Sequence, residues 1–303
     1  MKNQNIDTIL ILGATGMLGH KLMQVLSKKF SVSGTVRADM STFSHHPIFA
    51  GMNIIGNVHA DDLKSVQNVI EHSNPDVVIN CIGIVKQLRA AHDPLQSIAI
   101  NALFPHQLAK ICQEKKIRLI HMSTDCVFSG HKGHYIEDDP SDADDLYGKT
   151  KYLGEVNYPG CLTIRTSIIG HELSTSHSLI EWFMSQKGKT VSGYKNAIFS
   201  GVTTLALSEV ITQIISDYST LHGVYQIASE PISKFDLLNL VKKTYKIPIS
   251  IEMDETVIND RTLNPKKFKT ETSIIIPAWE YMIKQMCLDS TPYDRLRHDY
   301  VHE

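Results

Sequence analysis

The chain has 303 residues, 42% of them hydrophobic and 20% charged, with a formal net charge of −2. This length and apolar content allow a large core, in one large or two closely joined domains. A balanced charge without a basic block gives no reason to expect nucleic acid or an anionic membrane surface as a partner. No apolar run approaches the roughly 20 residues of a membrane span. Residues 1–5 lead directly into the first predicted strand, so no signal peptide is expected.

The five cysteines are scattered and odd in number, and most lie in apolar runs. This usage favours reduced, buried thiols in a cytoplasm. The chain also has 15 histidines, but no pair has the spacing of metal ligands, so no metal is expected.

Short apolar runs alternate with longer helical patterns along the chain. The predicted strands are Ile6–Leu12, Val32–Val36, Val77–Ile82, Ile117–Met122, Leu162–Ile169 and Val224–Ala228. Continuous apolar strands separated by helices indicate a parallel sheet covered on both faces. The predicted fold is therefore α/β, a doubly wound parallel sheet of Rossmann type, with its ligands at the carboxyl ends of the strands.

The pattern changes after Ile169. Residues 170–201 combine a polar loop with a short amphipathic stretch, and residues 204–218 form a helix returning to the sheet. Ser233 is predicted to cap a helix that runs to Tyr245. A short strand at 249–251 and a last helix at 277–286 follow. The prediction is a Rossmann domain of residues 1–169 with 202–228, and a smaller C-terminal substrate-binding domain of residues 170–201 with 229–303.

A glycine-rich loop follows the first predicted strand. Its glycines are spaced for a tight strand-to-helix turn, where the absence of a β-carbon lets the backbone approach a pyrophosphate. The next helix then offers free N–H groups and a partial positive charge to the phosphates. The expected cofactor contacts here are Gly13, Thr15, Gly16, Met17, Leu18 and Gly19.

Tyr147 and Lys151 are four residues apart, which places a phenol and an ammonium on one helix face. An ammonium beside a phenol favours the phenolate, so the pKa of Tyr147 is expected to fall from its usual value of about 10. A tyrosine tuned in this way can exchange a proton with an alcohol or ketone while a nicotinamide exchanges a hydride. Ser123 and Thr124, at the end of an apolar run, lie between the glycine loop and this helix.

Together these motifs resemble the extended short-chain dehydrogenase/reductase family, and most closely its dTDP-4-dehydrorhamnose reductase branch. The resemblance covers residues 1–230 well and the C-terminal part loosely. The segments that carry it are residues 13–19, 80–83, 123–128, 147–155 and 164–167.

The resemblance implies an NAD(P)-dependent oxidoreductase that reduces the C4 keto group of a nucleotide-linked 4-keto-6-deoxy sugar for surface polysaccharide synthesis. The implied catalytic residues are Thr124, Tyr147 and Lys151, with Thr124 also contacting the substrate. Two donors on the substrate oxygen would stabilise the developing alkoxide. Beyond the glycine loop, the implied cofactor contacts are Arg37, Asn57, Val58, Cys81, Gly83, Tyr147 and Lys151. Lys86 and Arg261 are the candidates for binding the substrate diphosphate.

Arg37 follows the second predicted strand, where the family binds the adenosine ribose. An arginine suits a 2′-phosphate through paired N–H donors, so NADPH is favoured as the cofactor. Asp39, two residues on, keeps NADH use open. A nucleotide sugar is the expected partner, and a homodimer is left open.

Two positions depart from the branch. Cys126 stands where a tyrosine is usual, and His171 follows residues 164–170. A cysteine and a histidine in similar places are the epimerising acid and base of the GDP-fucose synthase branch, so a bifunctional epimerase/reductase is one alternative. His171 lies in a polar loop without an obvious orienting partner, which favours reduction alone. Cys126 also replaces the glutamate of the dehydratase branch, which argues against a 4,6-dehydratase.

An alternative of another class is a non-catalytic NADP-binding regulatory subunit, because a fold does not fix a function. The presence of Thr124, Tyr147 and Lys151 argues against it.

Overall fold

A computed structural model describes residues 6–39, 47–87, 89–293 and 296. Its strands are β1 Thr8–Leu12, β2 Ser31–Thr35, β3 Asn53–Ile55, β4 Val77–Asn80, β5 Arg118–Met122, β6 Cys161–Arg165, β7 Ile168–Ile169, β8 Thr190–Tyr194, β9 Ala197–Phe199, β10 Val202–Thr203, β11 Gly223–Gln226, β12 Ile232–Ser233, β13 Ser250–Asp254 and β14 Asn259–Asp260. Its α-helices are α1 Gly19–Leu26, α2 Leu63–Ser73, α3 Pro94–Ser97, α4 Phe104–Glu114, α5 Leu146–Leu153, α6 Leu179–Ser185, α7 Thr204–Asp217, α8 Lys234–Tyr245, α9 Lys266–Thr272 and α10 Trp279–Cys287. A π-helical stretch, Ile98–Leu103, joins α3 to α4.

Seven strands form the central sheet in the order β11-β6-β5-β4-β1-β2-β3. Every neighbouring pair in it is parallel. The predicted doubly wound parallel sheet is therefore confirmed. The strand order reverses between β1 and β4, and ligands of such sheets bind in the crevice beyond that point.

Alternate residues of β1 enter two different cores because successive side chains of a strand point to opposite faces. Ile9 and Ile11 pack in one buried apolar cluster, whereas Leu10 and Leu12 pack in the other. The sheet is thus covered on both faces, as its continuous apolar strands predict.

The predicted strand Leu162–Ile169 is wrong in its second half. The central-sheet strand ends at Arg165, and Ile168–Ile169 pairs instead with Val202–Thr203 in a separate two-stranded sheet. Thr166 still contacts the neighbouring segment, since its hydroxyl donates to the Ile227 carbonyl at 2.7 Å, and the new pairing begins at Ser167, whose carbonyl accepts the Val202 amide at 2.9 Å. β3 and α9 had no counterpart among the predicted elements.

The C-terminal part contains α8, whose predicted N-cap is confirmed. The Ser233 hydroxyl accepts a hydrogen bond from the Asp236 amide at 3.0 Å, and the helix ends at Tyr245. One buried cluster holds Ile9 of the central sheet together with Leu237 and Trp279 of the C-terminal part. The division into two domains stays a prediction. No helix among the described residues has the length and apolar character to cross a membrane.

Candidate active site

The glycine loop after β1 is shaped by two backbone constraints. Gly13 has φ +84°, a conformation that favours glycine, and its carbonyl accepts the Gly16 amide at 3.2 Å. A β-carbon on Gly19 would lie 2.0 Å from the Gly13 carbonyl oxygen. α1 therefore starts against the loop only because residue 19 is glycine, and its N-terminus stays close to β1. This cradle fits the pyrophosphate of a dinucleotide.

The other loop residues differ in exposure. Gly16 is exposed and Thr15 and Met17 are half-buried, whereas Leu18 lies in the apolar core. Because the Leu18 side chain lies in the core, Leu18 can contact a phosphate only through its backbone.

Arg37, Asn57 and Val58 lie just beyond the carboxyl ends of β2 and β3. Arg37 is exposed. Asn57 has φ 58°, and its side-chain amide donates to Asp39 Oδ2 at 3.0 Å. Val58 is buried and donates its amide to the Val36 carbonyl. The structure thus brings these three predicted cofactor residues to one edge of the sheet.

Cys81 and Gly83 follow β4, on the other side of the crevice from the glycine loop. The Cys81 amide donates to the Leu12 carbonyl at 3.0 Å. Burial raises the pKa of the Cys81 thiol to about 12, which fits a packing residue better than a nucleophile. A β-carbon on Gly83 would lie 3.9 Å from Lys151 Nζ, so this glycine lies beside the predicted catalytic lysine.

The predicted catalytic residues are brought together by β5 and α5. Thr124 follows β5, and its hydroxyl oxygen accepts the Cys126 amide at 3.1 Å. The same hydroxyl donates to Asp125 Oδ1 at 3.1 Å, so donation to a substrate requires it to turn away from Asp125.

A β-carbon on Gly148 would lie 2.1 Å from the Cys126 carbonyl oxygen. That glycine lets α5, which carries Tyr147 and Lys151, pack closely on the Thr124 segment.

The predicted fall in the Tyr147 pKa is wrong in this structure. Burial raises the pKa of the Tyr147 phenol, the neighbouring Cys126 raises it further, and a hydrogen bond with Thr124 opposes the shift. The Lys151 ammonium, which was expected to lower this pKa, donates to the Met122 carbonyl at 2.7 Å. Burial lowers the pKa of Lys151 to about 8, against a raising effect of Glu155. Tyr147 thus keeps its proton at neutral pH, the state that a proton donor needs.

The two candidates for the diphosphate occupy different environments. Lys86 is exposed and pairs at 2.6 Å with Asp145, the N-cap residue of α5. Arg261, after β14, donates from Nε to the Phe128 carbonyl at 2.8 Å, and its Nη1 lies 3.8 Å from Cys126 Sγ. Arg261 therefore contacts residues 126–128, which follow Thr124. Lys86 instead lies at the start of α5, where it is paired with Asp145.

His171 has the orienting partners that the sequence did not reveal. Its Nδ1 lies 2.7 Å from Glu181 Oε1 and its Nε2 lies 3.0 Å from the Tyr245 hydroxyl, while its ring stacks on Tyr293. The expectation of a loop histidine without a partner was wrong. Both ring nitrogens are occupied within this cluster, and Cys126 is not part of it. Burial raises the pKa of Cys126 to about 12.

Arg165 and Glu155 form a buried ion pair to which the sequence pattern assigned no role. Arg165 donates to both carboxylate oxygens of Glu155, at 2.8 and 2.7 Å, and Ser123 donates to the same carboxylate at 2.6 Å. Both residues lie in segments that carry the family resemblance, which was the available signal. The pair anchors the chain next to Thr124.

Lys234 was also missed. It occupies the first turn of α8, and its ammonium lies 3.9 Å from the centre of the Phe199 ring. Asp125 and Cys126 raise the pKa of Lys234 and Arg261 lowers it, so Lys234 lies near the residues that follow Thr124. A cation in the first turn of a helix is unfavourable because it opposes the helix dipole. A lysine directly after the predicted N-cap Ser233 was therefore the sequence feature that could have indicated a functional role. Within the described ranges, no group of three or more His, Cys, Asp or Glu residues could hold a metal ion.

The site can be compared with known proteins. The dTDP-4-dehydrorhamnose reductase of Salmonella typhimurium is 22% identical over 301 residues, covering 92% of this chain and 96% of that protein. The enzyme of the same name from Streptomyces griseus is 31% identical over 149 residues, 48% of this chain. That match spans 43% of the Streptomyces protein, and the chain likewise spans about half the length of two further curated relatives.

Solved structures share the fold. A hypothetical dTDP-4-dehydrorhamnose reductase from Sulfolobus tokodaii has a TM-score of 0.75 at 23% identity, over 89% of this chain and 96% of that one. A dTDP-4-dehydrorhamnose reductase from Bacillus anthracis in complex with NADP has a TM-score of 0.78 at 19% identity, over 93% and 99%. The family model for the RmlD substrate binding domain matches residues 7–291. This protein therefore belongs to the RmlD substrate binding domain family.

Proposed function

We propose that the protein is an NADPH-dependent reductase of the C4 keto group of a nucleotide-linked 4-keto-6-deoxy sugar, serving surface polysaccharide synthesis. One observation carries the proposal. Thr124, Tyr147 and Lys151 lie together at the carboxyl edge of a parallel sheet, and Gly83 connects them to the crevice that the glycine loop borders. The relatives named as reductases and as a spore coat polysaccharide biosynthesis protein support the substrate class.

The residues of the site define the proton chemistry. A bound nicotinamide coenzyme supplies the hydride. Tyr147 donates the proton to the substrate oxygen, because burial keeps its phenol protonated. The Thr124 hydroxyl turns from Asp125 to the same oxygen, so that two donors stabilise its developing charge. Lys151, beside Gly83, would hold the nicotinamide ribose and would place a positive charge close to the reacting oxygen.

The cofactor assignment rests on the cradle at Gly13 and Gly19 and on Arg37. The exposed guanidinium of Arg37 at the end of β2 suits the 2′-phosphate of NADPH. NADH remains a second substrate because Asp39 is close by, tied to Asn57. All five cysteines are unpaired thiols, which supports a reducing, cytoplasmic location.

The two alternatives receive less support. An epimerase needs an acid and a base on opposite faces of the substrate, whereas both nitrogens of His171 are bonded to Glu181 and Tyr245. A non-catalytic regulatory subunit would not need Thr124, Tyr147 and Lys151 to lie together, so their arrangement favours an enzyme.

The test is turnover with NADPH and a panel of dTDP-, UDP- and GDP-linked 4-keto-6-deoxy sugars, followed by nicotinamide absorbance. We expect NADPH consumption with at least one sugar of the panel and none without sugar. Absence of consumption with the whole panel would contradict the proposal.

A further inference from the structure

His20, in the first turn of α1, is a buried histidine that bonds directly to the glycine loop. Its Nδ1 lies 2.9 Å from the Gly16 carbonyl oxygen, and the same oxygen accepts the His20 backbone amide at 3.1 Å. A carbonyl oxygen can only accept, so Nδ1 is the ring nitrogen that carries a proton. His20 therefore donates to Gly16 twice, once from its backbone and once from its ring.

The other ring nitrogen of His20 is held by Tyr293. Nε2 lies 3.1 Å from the Tyr293 hydroxyl. Burial lowers the pKa of His20 to about 4, so at neutral pH the ring has one proton, and Nε2 accepts from Tyr293. The Tyr293 hydroxyl also lies 3.0 Å from Asp289 Oδ2, but it has a single proton to donate, and Asp289 keeps Lys21 as a donor. Partners at both nitrogens hold the ring in one orientation.

The contact to His20 determines which way the peptide between Gly16 and Met17 faces. In a trans peptide the C=O and the N–H point in opposite directions. Because the Gly16 carbonyl is directed at His20, the Met17 N–H is directed away from it. No acceptor for the Met17 amide is found among the residues that the structure describes, and Gly16 is exposed. This N–H is therefore available to a ligand in the cradle that the glycine loop forms.

We propose that His20 is a positioning residue that holds the Gly16–Met17 peptide with its N–H towards the pyrophosphate of the coenzyme. The inference rests on the coenzyme class named in the proposed function. Glycine at position 16 makes rotation of this peptide easy, and a rotated peptide would present its carbonyl oxygen to the phosphates. Fixing the peptide before the coenzyme arrives removes the cost of ordering it during binding.

The experiment measures dissociation constants for NADPH and NADH by fluorescence titration. His20→Leu, which lacks the ring donor, is expected to weaken both coenzymes by the same factor of about 5 to 10, since both carry the pyrophosphate. Adenosine 2′-phosphate, which lacks the pyrophosphate, should compete equally well against NADPH in this variant and in the wild type.

Two further variants separate positioning from packing. His20→Asn places an amide N–H close to the position of Nδ1, so its affinity for NADPH should stay within about threefold of wild type. Tyr245→Phe removes the hydroxyl that bonds another buried histidine, His171, and should bind both coenzymes as the wild type does.

Nitrogen-15 NMR of the coenzyme-free protein at neutral pH shows which ring nitrogen of His20 carries the proton. The His20 signals are identified among those of the 15 histidines by their absence from His20→Asn. We expect the proton on Nδ1, and a proton on Nε2 would overturn the inference.

Equal affinities of His20→Leu and wild type for NADPH would overturn the inference while leaving the reductase proposal intact. A loss of adenosine 2′-phosphate binding as large as the loss of NADPH binding would also overturn it, because the effect would then be general loosening of the site. A loss in His20→Asn as large as that in His20→Leu would do the same. Failure of the wild type to bind either coenzyme, together with no turnover in the sugar panel, would overturn both proposals.

Discussion

Burial and the neighbouring residues Cys126 and Thr124 set the protonation state of Tyr147. The phenol is buried against Cys126 and Thr124, and the Lys151 ammonium is directed at the Met122 carbonyl. The sequence gives the spacing of Tyr147 and Lys151 correctly. It does not give the direction of the lysine side chain, which depends on where β5 passes beneath α5.

Replacing Tyr147 by phenylalanine should lower turnover by about 10²- to 10⁴-fold, the usual contribution of a general acid. NADPH binding should persist, because the ring and the fold are kept. Steady-state rates and fluorescence titration measure the two effects. Tyr152→Phe, an exposed tyrosine of the same helix, is the matched control and should act like wild type. Turnover of Tyr147→Phe within threefold of wild type would remove the phenol from the mechanism.

Arg37→Ala should weaken NADPH far more than NADH. The lost contact to the 2′-phosphate is worth about 1.5–3 kcal/mol, or roughly 10- to 150-fold in affinity. Dissociation constants for the two coenzymes test this directly. Equal losses for both would show that Arg37 does not distinguish them.

The turn from β1 into α1 is the element that brings the sequence pattern and the structure into closest agreement. Its glycines are visible in the sequence, and the clash at Gly19 explains why one of them is required. The strands were predictable for a similar reason, since continuous apolar runs mark buried parallel strands. The end of β6 was not predictable, because the apolar run continues through Ile168–Ile169 while those residues pair with the distant segment Val202–Thr203. The position of Lys234 beside Asp125 likewise arises from tertiary packing alone.

Two glycines of this turn should respond differently to alanine. In Gly19→Ala the new β-carbon meets the Gly13 carbonyl oxygen at 2.0 Å, so backbone must move, at a cost of at least the roughly 1–3 kcal/mol of overpacking. In Gly16→Ala the nearest atom is at 3.4 Å, an ordinary contact, and stability should stay within about 0.5 kcal/mol. Urea unfolding measures both. Equal stabilities of the two variants would contradict the described packing of α1.

On the scale of the whole molecule, the C-terminal segment is tied to the coenzyme half through α1. Lys21 pairs with Asp289, and Gln24 donates to Thr291. His20 lies between the Gly16 carbonyl and the Tyr293 hydroxyl, at 2.9 and 3.1 Å. The segment that follows α10 thus packs directly behind the glycine loop.

His20 should make the protein less stable in mild acid. Burial lowers its pKa from 6.5 to about 4, so the folded imidazole is neutral where the unfolded one is protonated. The stability contributed by the neutral ring is complete above pH 6.5 and is lost as the pH falls towards about 4. Buried His121 adds a loss in the same direction.

Urea unfolding between pH 7 and pH 4 tests this contribution. His20→Asn should reduce the slope of the unfolding free energy against pH by up to about 1.4 kcal/mol per pH unit, which is the contribution of one proton. An unaltered slope in His20→Asn would show that the ring is not buried in its neutral form.

Reduction at C4 without epimerisation is tested by turnover of a 4-keto sugar with NADPH in deuterated water, with the product analysed by NMR. We expect a C4 alcohol whose C4 hydrogen is protium, because it comes from the coenzyme. We also expect no deuterium at C3 or C5 beyond an enzyme-free control, because both nitrogens of His171 are engaged by Glu181 and Tyr245. Deuterium at C3 or C5 that disappears in Cys126→Ser or His171→Ala, or the absence of a C4 alcohol, would contradict it.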